Sequence, residues 1–289
     1  MDLATTKSLL RQYHVRPNKL RGQSFLVSER AAERIVEAAR VRPEETVLEV
    51  GPGLGVLTTK LLEQARRVVA VEIDRRLCEM LRKTLGDDDH FELINDDFLK
   101  VDLTAMVRRA EPGGLKIVSN LPYQITGVAI RMILDHLRLL RGATLTVQRE
   151  VGDRIAAGPG EKAYGALSLA AQYYSIVHRH FRLPKELFHP RPRVDSVVLS
   201  LEPRDRPPVK VCDEVLFFQT VGALFGHRRK TARNALRHHP RLQPEPGQLN
   251  ELALRTGIDL GRRGETMSLA ELAEITNALG EWQHAGPAQ

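Results

Sequence analysis

Short apolar runs alternate with amphipathic stretches through the first half of this chain, and that alternation constrains its fold most. Thr46–Val50, Val68–Ile73, Phe91–Ile94, Lys116–Ser119 and Ala143–Val147 each read as a buried strand. The segments around Leu57–Leu62, Leu77–Leu85 and Thr126–Leu140 read as helices between them. Ahead of the first strand, Ser28 is placed to cap a helix with Ile35, Val36 and Ala39 on one face. Strands alternating with helices imply a mostly parallel, doubly wound α/β sheet of Rossmann-like type. Such sheets bind ligands at the carboxyl ends of their strands, so chemistry is sought there.

Past Arg149 the pattern changes. Tyr164–Tyr174 reads as a helix, and Ile176–Leu183 and Val194–Leu201 read as an antiparallel pair at the sheet edge, joined by a Pro-rich loop. Residues 202–208 have linker composition, and from Asp213 the pattern is helical, with a break at His239–Gly247. We therefore expect a Rossmann-like domain over residues 1–205 and a small all-helical domain over 206–289. The start of the chain is polar and carries Arg11, Arg16, Lys19 and Arg21, which reads as a mobile or loosely docked basic arm.

Glu49-x-Gly51-x-Gly53-x-Gly55 lies between a strand and a helix, where glycine lets backbone come close to a ligand. A dinucleotide fingerprint wants Gly or Ala at position 56, and Val56 stands there. The spacing favours S-adenosylmethionine (AdoMet), which has no pyrophosphate to cradle. Glu72 ends the next strand and is placed to take both ribose hydroxyls. Asp97, after the third strand, could accept from the cofactor's adenine amine, with Phe98 beside the ring; Asp96 reads as a solvated neighbour, and the choice between them needs a family pattern.

Asn120-Leu121-Pro122-Tyr123 follows the fourth strand. This arrangement suits methyl transfer to an exocyclic amine, a poor nucleophile because its lone pair is delocalised into the base. An Asn oxygen and the Leu121 carbonyl can accept the two N–H protons and localise that lone pair. Pro122 stiffens the turn and keeps Leu121 extended. Tyr123 offers a flat ring for a base taken out of its stack.

The net charge of +7 favours a polyanionic partner, nucleic acid ahead of membrane. Gly226–Arg241 contains Arg228, Arg229, Lys230, Arg233, Arg237 and Arg241 and no acid. Arg229, Arg233 and Arg237 at i, i+4, i+8 would share one helix face and contact RNA phosphates. Cys78 and Cys212 match no metal or redox spacing and read as reduced thiols of a cytoplasmic protein. His178 and His180 alternate on a strand without a third ligand, so no metal is expected. No apolar run reaches the ~18 residues of a membrane span, and no signal peptide is evident.

Taken in order, these motifs resemble those of the bacterial small-subunit rRNA adenine dimethyltransferase family over about residues 16–280. The resemblance is carried by Gly22–Leu26, Glu49–Gly55, Glu72, Asn120–Tyr123, Lys162/Tyr164/Gly165, Leu167/Ser168/Gln172, Phe188–Ser196 and Arg228–Thr231. It implies dimethylation of adenosine amines in small-subunit rRNA of a pre-ribosomal particle, by a monomer using AdoMet. It selects Asp97 over Asp96, and it implies cofactor contacts at Ser24, Leu26, Gly51, Gly53, Glu72, Asp97 and Asn120. Catalysis falls to Asn120, Leu121, Pro122 and Tyr123, and RNA contact to Arg228, Arg229, Lys230, Arg233 and Arg237. Ser24 stands where the family has Asn, which shifts methionine-end contacts toward the backbone at Leu26. Gln124 and Gly264 also depart from the common pattern. The rival readings are the related large-subunit rRNA methyltransferase, a non-catalytic assembly factor on the same fold, and a nicotinamide oxidoreductase. The Lys162–Gln172 and Arg228–Thr231 motifs oppose the first, intact Asn120–Tyr123 and Glu72 the second, and Val56 the third.

Overall fold

The chain opens on a helix rather than a loose arm. The computed structural model describes residues 3–17, 22–227, 229–242 and 244–285, with side chains to residue 282. Helix α1 (Leu3–Gln12) is polar on its outer side, but Leu10 and the following Val15 are buried against Phe25, Leu54, Leu77, Met80 and Leu81. Burying such side chains contributes roughly 1.5–3 kcal/mol each, which docks the arm. Lys19 and Arg21 of the expected arm lie outside the described residues.

The next elements are β1 (Phe25–Leu26), α2 (Glu29–Ala39), β2 (Thr46–Val50), α3 (Val56–Leu62), β3 (Arg67–Val71), α4 (Arg75–Leu85), β4 (Phe91–Ile94), α5 (Leu103–Arg109), β5 (Leu115–Asn120), α6 (Thr126–His136) and β6 (Gly142–Gln148). Ser28 caps α2 by accepting from Ala31 N at 3.2 Å. Then follow α7 (Arg149–Ala156), α8 (Ala166–Tyr174), β7 (Ser175–Leu183), β8 (Phe188–His189) and β9 (Ser196–Pro203). One sheet has seven strands in the order β4-β3-β2-β5-β6-β9-β7. β2 to β6 run parallel, while β9 pairs antiparallel with β6 and β7 antiparallel with β9. The expected parallel sheet with an antiparallel edge pair is therefore present. The Pro-rich loop adds β8, which pairs antiparallel with β1.

One face of the sheet buries Val47, Val68, Val118 and Val198 against Ile35 and Val36 of α2 and Leu57 and Leu61 of α3. Lys116 reaches from β5 to the end of α2. Its Nζ donates to the Ala39 and Arg40 carbonyls at 3.1 and 2.8 Å and pairs with Glu45 at 2.8 Å. A buried ammonium needs that full set of partners, because leaving it uncompensated would cost several kcal/mol.

The last elements are α9 (Glu214–Gly226), α10 (Ala232–Arg237), α11 (Pro246–Thr256) and α12 (Leu269–Ala285). Contacts divide the chain into residues 1–152 with 174–205, and residues 153–173 with 206–289. This differs from a single boundary after residue 205, since 153–173 cluster with the helices. The cause is long-range packing within the second unit. Tyr173 stacks on Phe217 at 5.0 Å between centroids, and the Tyr164 hydroxyl donates to the Met267 carbonyl at 3.0 Å. Within that unit α9 packs on α10 and α12.

Candidate active site

Strand order reverses between β2 and β5, and the cleft lies there, at the carboxyl ends of the parallel strands. It spans about 1120 Å³ including its open mouth and lies within the first unit. Ser24, Leu26, Gly51, Gly53, Glu72, Asp97, Asn120, Leu121, Pro122 and Tyr123 all line it. The sequence names these residues from separate motifs, and folding brings them to one cleft.

The glycine loop is shaped for close approach. Gly51 and Gly53 have φ of +66° and +59°, in the left-handed region. A Cβ on Gly51 would sit 2.9 Å from Pro122 Cγ, and one on Gly53 would sit 2.8 Å from Phe25 Cδ1. Any side chain at either position would be strained and would close the loop against its neighbours.

Two carboxylates stand behind this loop. Glu72 is 5% exposed and accepts from Asp74 N at 2.9 Å and from Gly53 N at 3.4 Å. Burial pushes its carboxyl up to about 7, partly offset by those backbone donors. Glu49 is 2% exposed and accepts from Thr58 Oγ1 at 2.6 Å. Burial pushes it up to about 8, with the neighbouring Glu72 charge adding to the shift. Glu49 was read only as the opening residue of the glycine motif. An acid in an otherwise apolar strand was the signal that it would be buried.

Asp97 is half-buried and Asp96 exposed, and both line the cleft. Asp97 Oδ1 accepts from Leu99 N at 3.0 Å, while Asp96 Oδ1 takes Asp97 N at 2.7 Å. Phe98 is buried at 3% exposure.

Asn120 is the chemically distinctive residue. Its Nδ2 donates to the Ser24 carbonyl at 3.5 Å. A carbonyl can only accept, so the amide must turn its oxygen the other way. That Oδ1 is buried and meets no donor among the described residues. A buried acceptor without a donor costs about 1–3 kcal/mol, and a catalytic role is one of the reasons such a group is kept. No donor reaches the Leu121 carbonyl either among the described residues. Asn120 and Leu121 both line the cleft, and each thus keeps an acceptor that no donor among the described residues reaches. Tyr123 is held beside them by a 2.8 Å bond between its hydroxyl and Ser196 Oγ, and burial raises its phenol. Ser196 was read only as part of the Phe188–Ser196 motif, and nothing local marked it as the anchor. The Ser24 hydroxyl donates to the Pro190 carbonyl at 2.8 Å, so its one proton is not available to the cleft.

The cationic segment of the second unit differs from expectation. Helix α10 starts only at Ala232, because Thr231 caps it in an extended conformation and accepts from Asn234 N. Arg229 therefore precedes the helix, and Arg229, Arg233 and Arg237 do not share one helical face. Arg233 donates to Asn250 Oδ1 at 2.8 Å. Arg229 and Arg237 are exposed, Lys230 is half-buried, and Arg228 lies outside the described residues.

Among the described residues no helix is long and apolar enough to cross a membrane. Residues 15–279 match the family described as Ribosomal RNA adenine dimethylase. The chain is 40% identical over 277 residues to the Ribosomal RNA small subunit methyltransferase A of Alkaliphilus oremlandii, covering 96% of each. It is 40% identical over 284 residues to that of Geobacillus kaustophilus, covering 96% of this chain and 97% of the relative. Among solved structures, a dimethyladenosine transferase from Plasmodium falciparum superposes with a TM-score of 0.71 at 22% identity, over 91% of this chain and 98% of that one. The 23S rRNA methyltransferase ErmE superposes with a TM-score of 0.68 at 25% identity, over 89% and 99%.

Proposed function

The chain belongs to the ribosomal RNA adenine dimethylase family, and on that premise we propose which of its residues carry the reaction and how. It is an AdoMet-dependent enzyme that dimethylates the exocyclic amine of adenosines in small-subunit rRNA. The whole-chain relatives at 40% identity are small-subunit enzymes, against 25% for the 23S enzyme, which favours the small-subunit substrate.

The observation that carries the mechanism is that neither the buried Asn120 Oδ1 nor the carbonyl of the next residue, Leu121, meets a donor among the described residues. Both oxygens accept the N–H protons of the target amine and leave its lone pair on nitrogen, directed away from them. AdoMet supplies an electrophilic methyl carried on a sulfonium. The residues around the glycine loop fit that group: Gly51 and Gly53 give the close approach a Cβ would block, Glu72 would take the ribose hydroxyls, and Asp97 would accept from the cofactor's adenine amine. Tyr123 stacks on the flipped adenine. No strong base is needed, because an alkylated amine releases its proton readily to water. A second transfer on the same nitrogen gives dimethyladenosine. Arg229, Lys230, Arg233 and Arg237 of the second unit hold rRNA phosphates, with Arg228 assigned the same role from sequence. The protein acts as a monomer on a pre-ribosomal particle in the cytoplasm; its net charge of +7 supports the anionic partner.

The cofactor assignment has a pH signature. Glu72, raised to about 7 in the free protein, accepts best from two hydroxyls when ionised. AdoMet binding should therefore lower its pKa and release a proton near pH 6.5, and affinity should rise as pH increases through 7. Calorimetry in buffers of different ionisation enthalpy reads this directly, with NAD as a control that gives no heat. Proton uptake on binding, or binding of NAD, would overturn the assignment.

If Tyr123 acts by stacking, Tyr123→Phe should lose no more than about 1 kcal/mol of transition-state stabilisation, the net worth of its bond to Ser196. Tyr123→Ala should lose about 1–3 kcal/mol, the worth of a base–aromatic stack. Equal losses in single-turnover assays would assign the role to the hydroxyl instead.

A further inference from the structure

The docked N-terminal arm is the cationic surface that the mechanism leaves unused. From Leu3 to Ser28 the sequence has no carboxylate, and the segment carries Lys7, Arg11, Arg16, Lys19 and Arg21. That gap is longer than the acid-free Gly226–Arg241 segment. Lys7, Arg11, His14 and Arg16 are all exposed. Arg11, His14, Arg16 and Arg76 line one concavity, with Leu10 and Val15 at its base. None of Arg11, Arg16 or Arg76 pairs with a carboxylate among the described residues. Arg76 instead donates to the His14 carbonyl at 2.6 Å, fixing the backbone where it turns at a φ of +50°. Lys83 lies 5.6 Å over the Tyr13 ring and adds a further cation to this side of α4.

A concavity lined by three arginines and no carboxylate carries self-repulsion unless an anion is supplied. This one is also rigid, because Leu10 and Val15 are seated in the core cluster. Three members of that cluster, Phe25, Leu54 and Leu77, also line the cleft. The anion that fits is one already brought to this protein. We propose that the concavity formed by Arg11, His14, Arg16 and Arg76 binds the phosphodiester backbone of the rRNA whose adenosine enters the cleft. The catalytic unit thereby holds its substrate with an RNA contact of its own, separate from the Arg229–Arg237 segment. This rests on the rRNA reading above.

The test uses the full-length protein, small-subunit particles lacking dimethyladenosine, and an unrelated RNA of mixed sequence. Arg11 and Arg16 are not among the residues that line the cleft, so they can be changed without altering the reacting groups. In Arg11→Gln/Arg16→Gln the slope of log affinity against log salt should fall by about 1.4–1.8, the counterion equivalents of two phosphate contacts. The fall should appear on both RNAs, since phosphate contacts carry no sequence information. AdoMet affinity should stay at the wild-type value, and Arg11→Lys/Arg16→Lys should restore the slope because the charge is retained. An unchanged slope would overturn the proposal, as would a loss that the Lys pair does not restore, which would mean a structural role. Wild-type methyl transfer to the same particle, measured alongside, keeps the claims apart. Its absence would overturn the methyltransferase reading, while the slope would still decide the arm.

Discussion

Asn120→Ala should slow single-turnover methyl transfer by about 10²-fold or more while leaving RNA affinity nearly unchanged. Losing one preorganised polar group aimed at the reacting centre has that scale. Stability supplies a second arm of the test. The Asn120 oxygen has no donor among the described residues, and its nitrogen makes only a 3.5 Å contact with Ser24. Removing a buried, unpartnered carbonyl should leave the melting temperature level or raise it. A merely structural Asn would behave in the opposite way, with a lower melting temperature and intact chemistry.

Glu72→Gln should weaken AdoMet binding by roughly 10²-fold at pH 8, since hydrogen bonds to a charged group are worth about 1.5–3 kcal/mol each and two ribose hydroxyls are involved. The fold should respond in the opposite sense. Glu72 is raised in the folded state to about 7 from an ordinary value of 4.5. Between those values the folded protein holds a proton that the unfolded chain has lost. Stability from this group is therefore complete below pH 4.5 and is lost as pH rises through 7. Gln cannot ionise, so the variant should be no less stable than wild type at pH 8, and the stability gap should close toward pH 4.5. A variant that lost AdoMet affinity and stability together would be reporting a damaged loop instead. Calorimetry and thermal melts across the pH series measure both.

How far the sequence could be read follows from the range of the forces involved. The parallel strands were legible because a strand buried on both faces must be almost wholly apolar, and Val47, Leu48 and Val50 are. The Asn120–Tyr123 turn and the glycine loop were legible because special backbone demands special residues. The arm was misread because only Thr6 and Leu10 of α1 are buried, a stripe too thin to stand out in a polar segment. Its docking depends on Leu77, Met80 and Leu81, far along the chain. The Arg229–Arg237 face failed locally: Thr231 restarts the helix, and a capping residue two positions after Arg229 was the available warning. No local signal placed residues 153–173 with the C-terminal helices, because Tyr173 meets Phe217 only in the folded chain. Nor could sequence show that the Ser24 hydroxyl turns to Pro190, or that the Asn120 oxygen meets no donor among the described residues.

The central claim is that Asn120 and its neighbours methylate an adenosine amine in small-subunit rRNA. Incubating purified protein and methyl-labelled AdoMet with small-subunit particles lacking dimethyladenosine, then quantifying labelled nucleosides by mass spectrometry, tests it directly. The account predicts label in dimethyladenosine for wild type, and about 10²-fold less for Asn120→Ala at equal particle occupancy. Label on another nucleoside, label only when large-subunit rRNA is supplied, or wild-type yield from Asn120→Ala would contradict it.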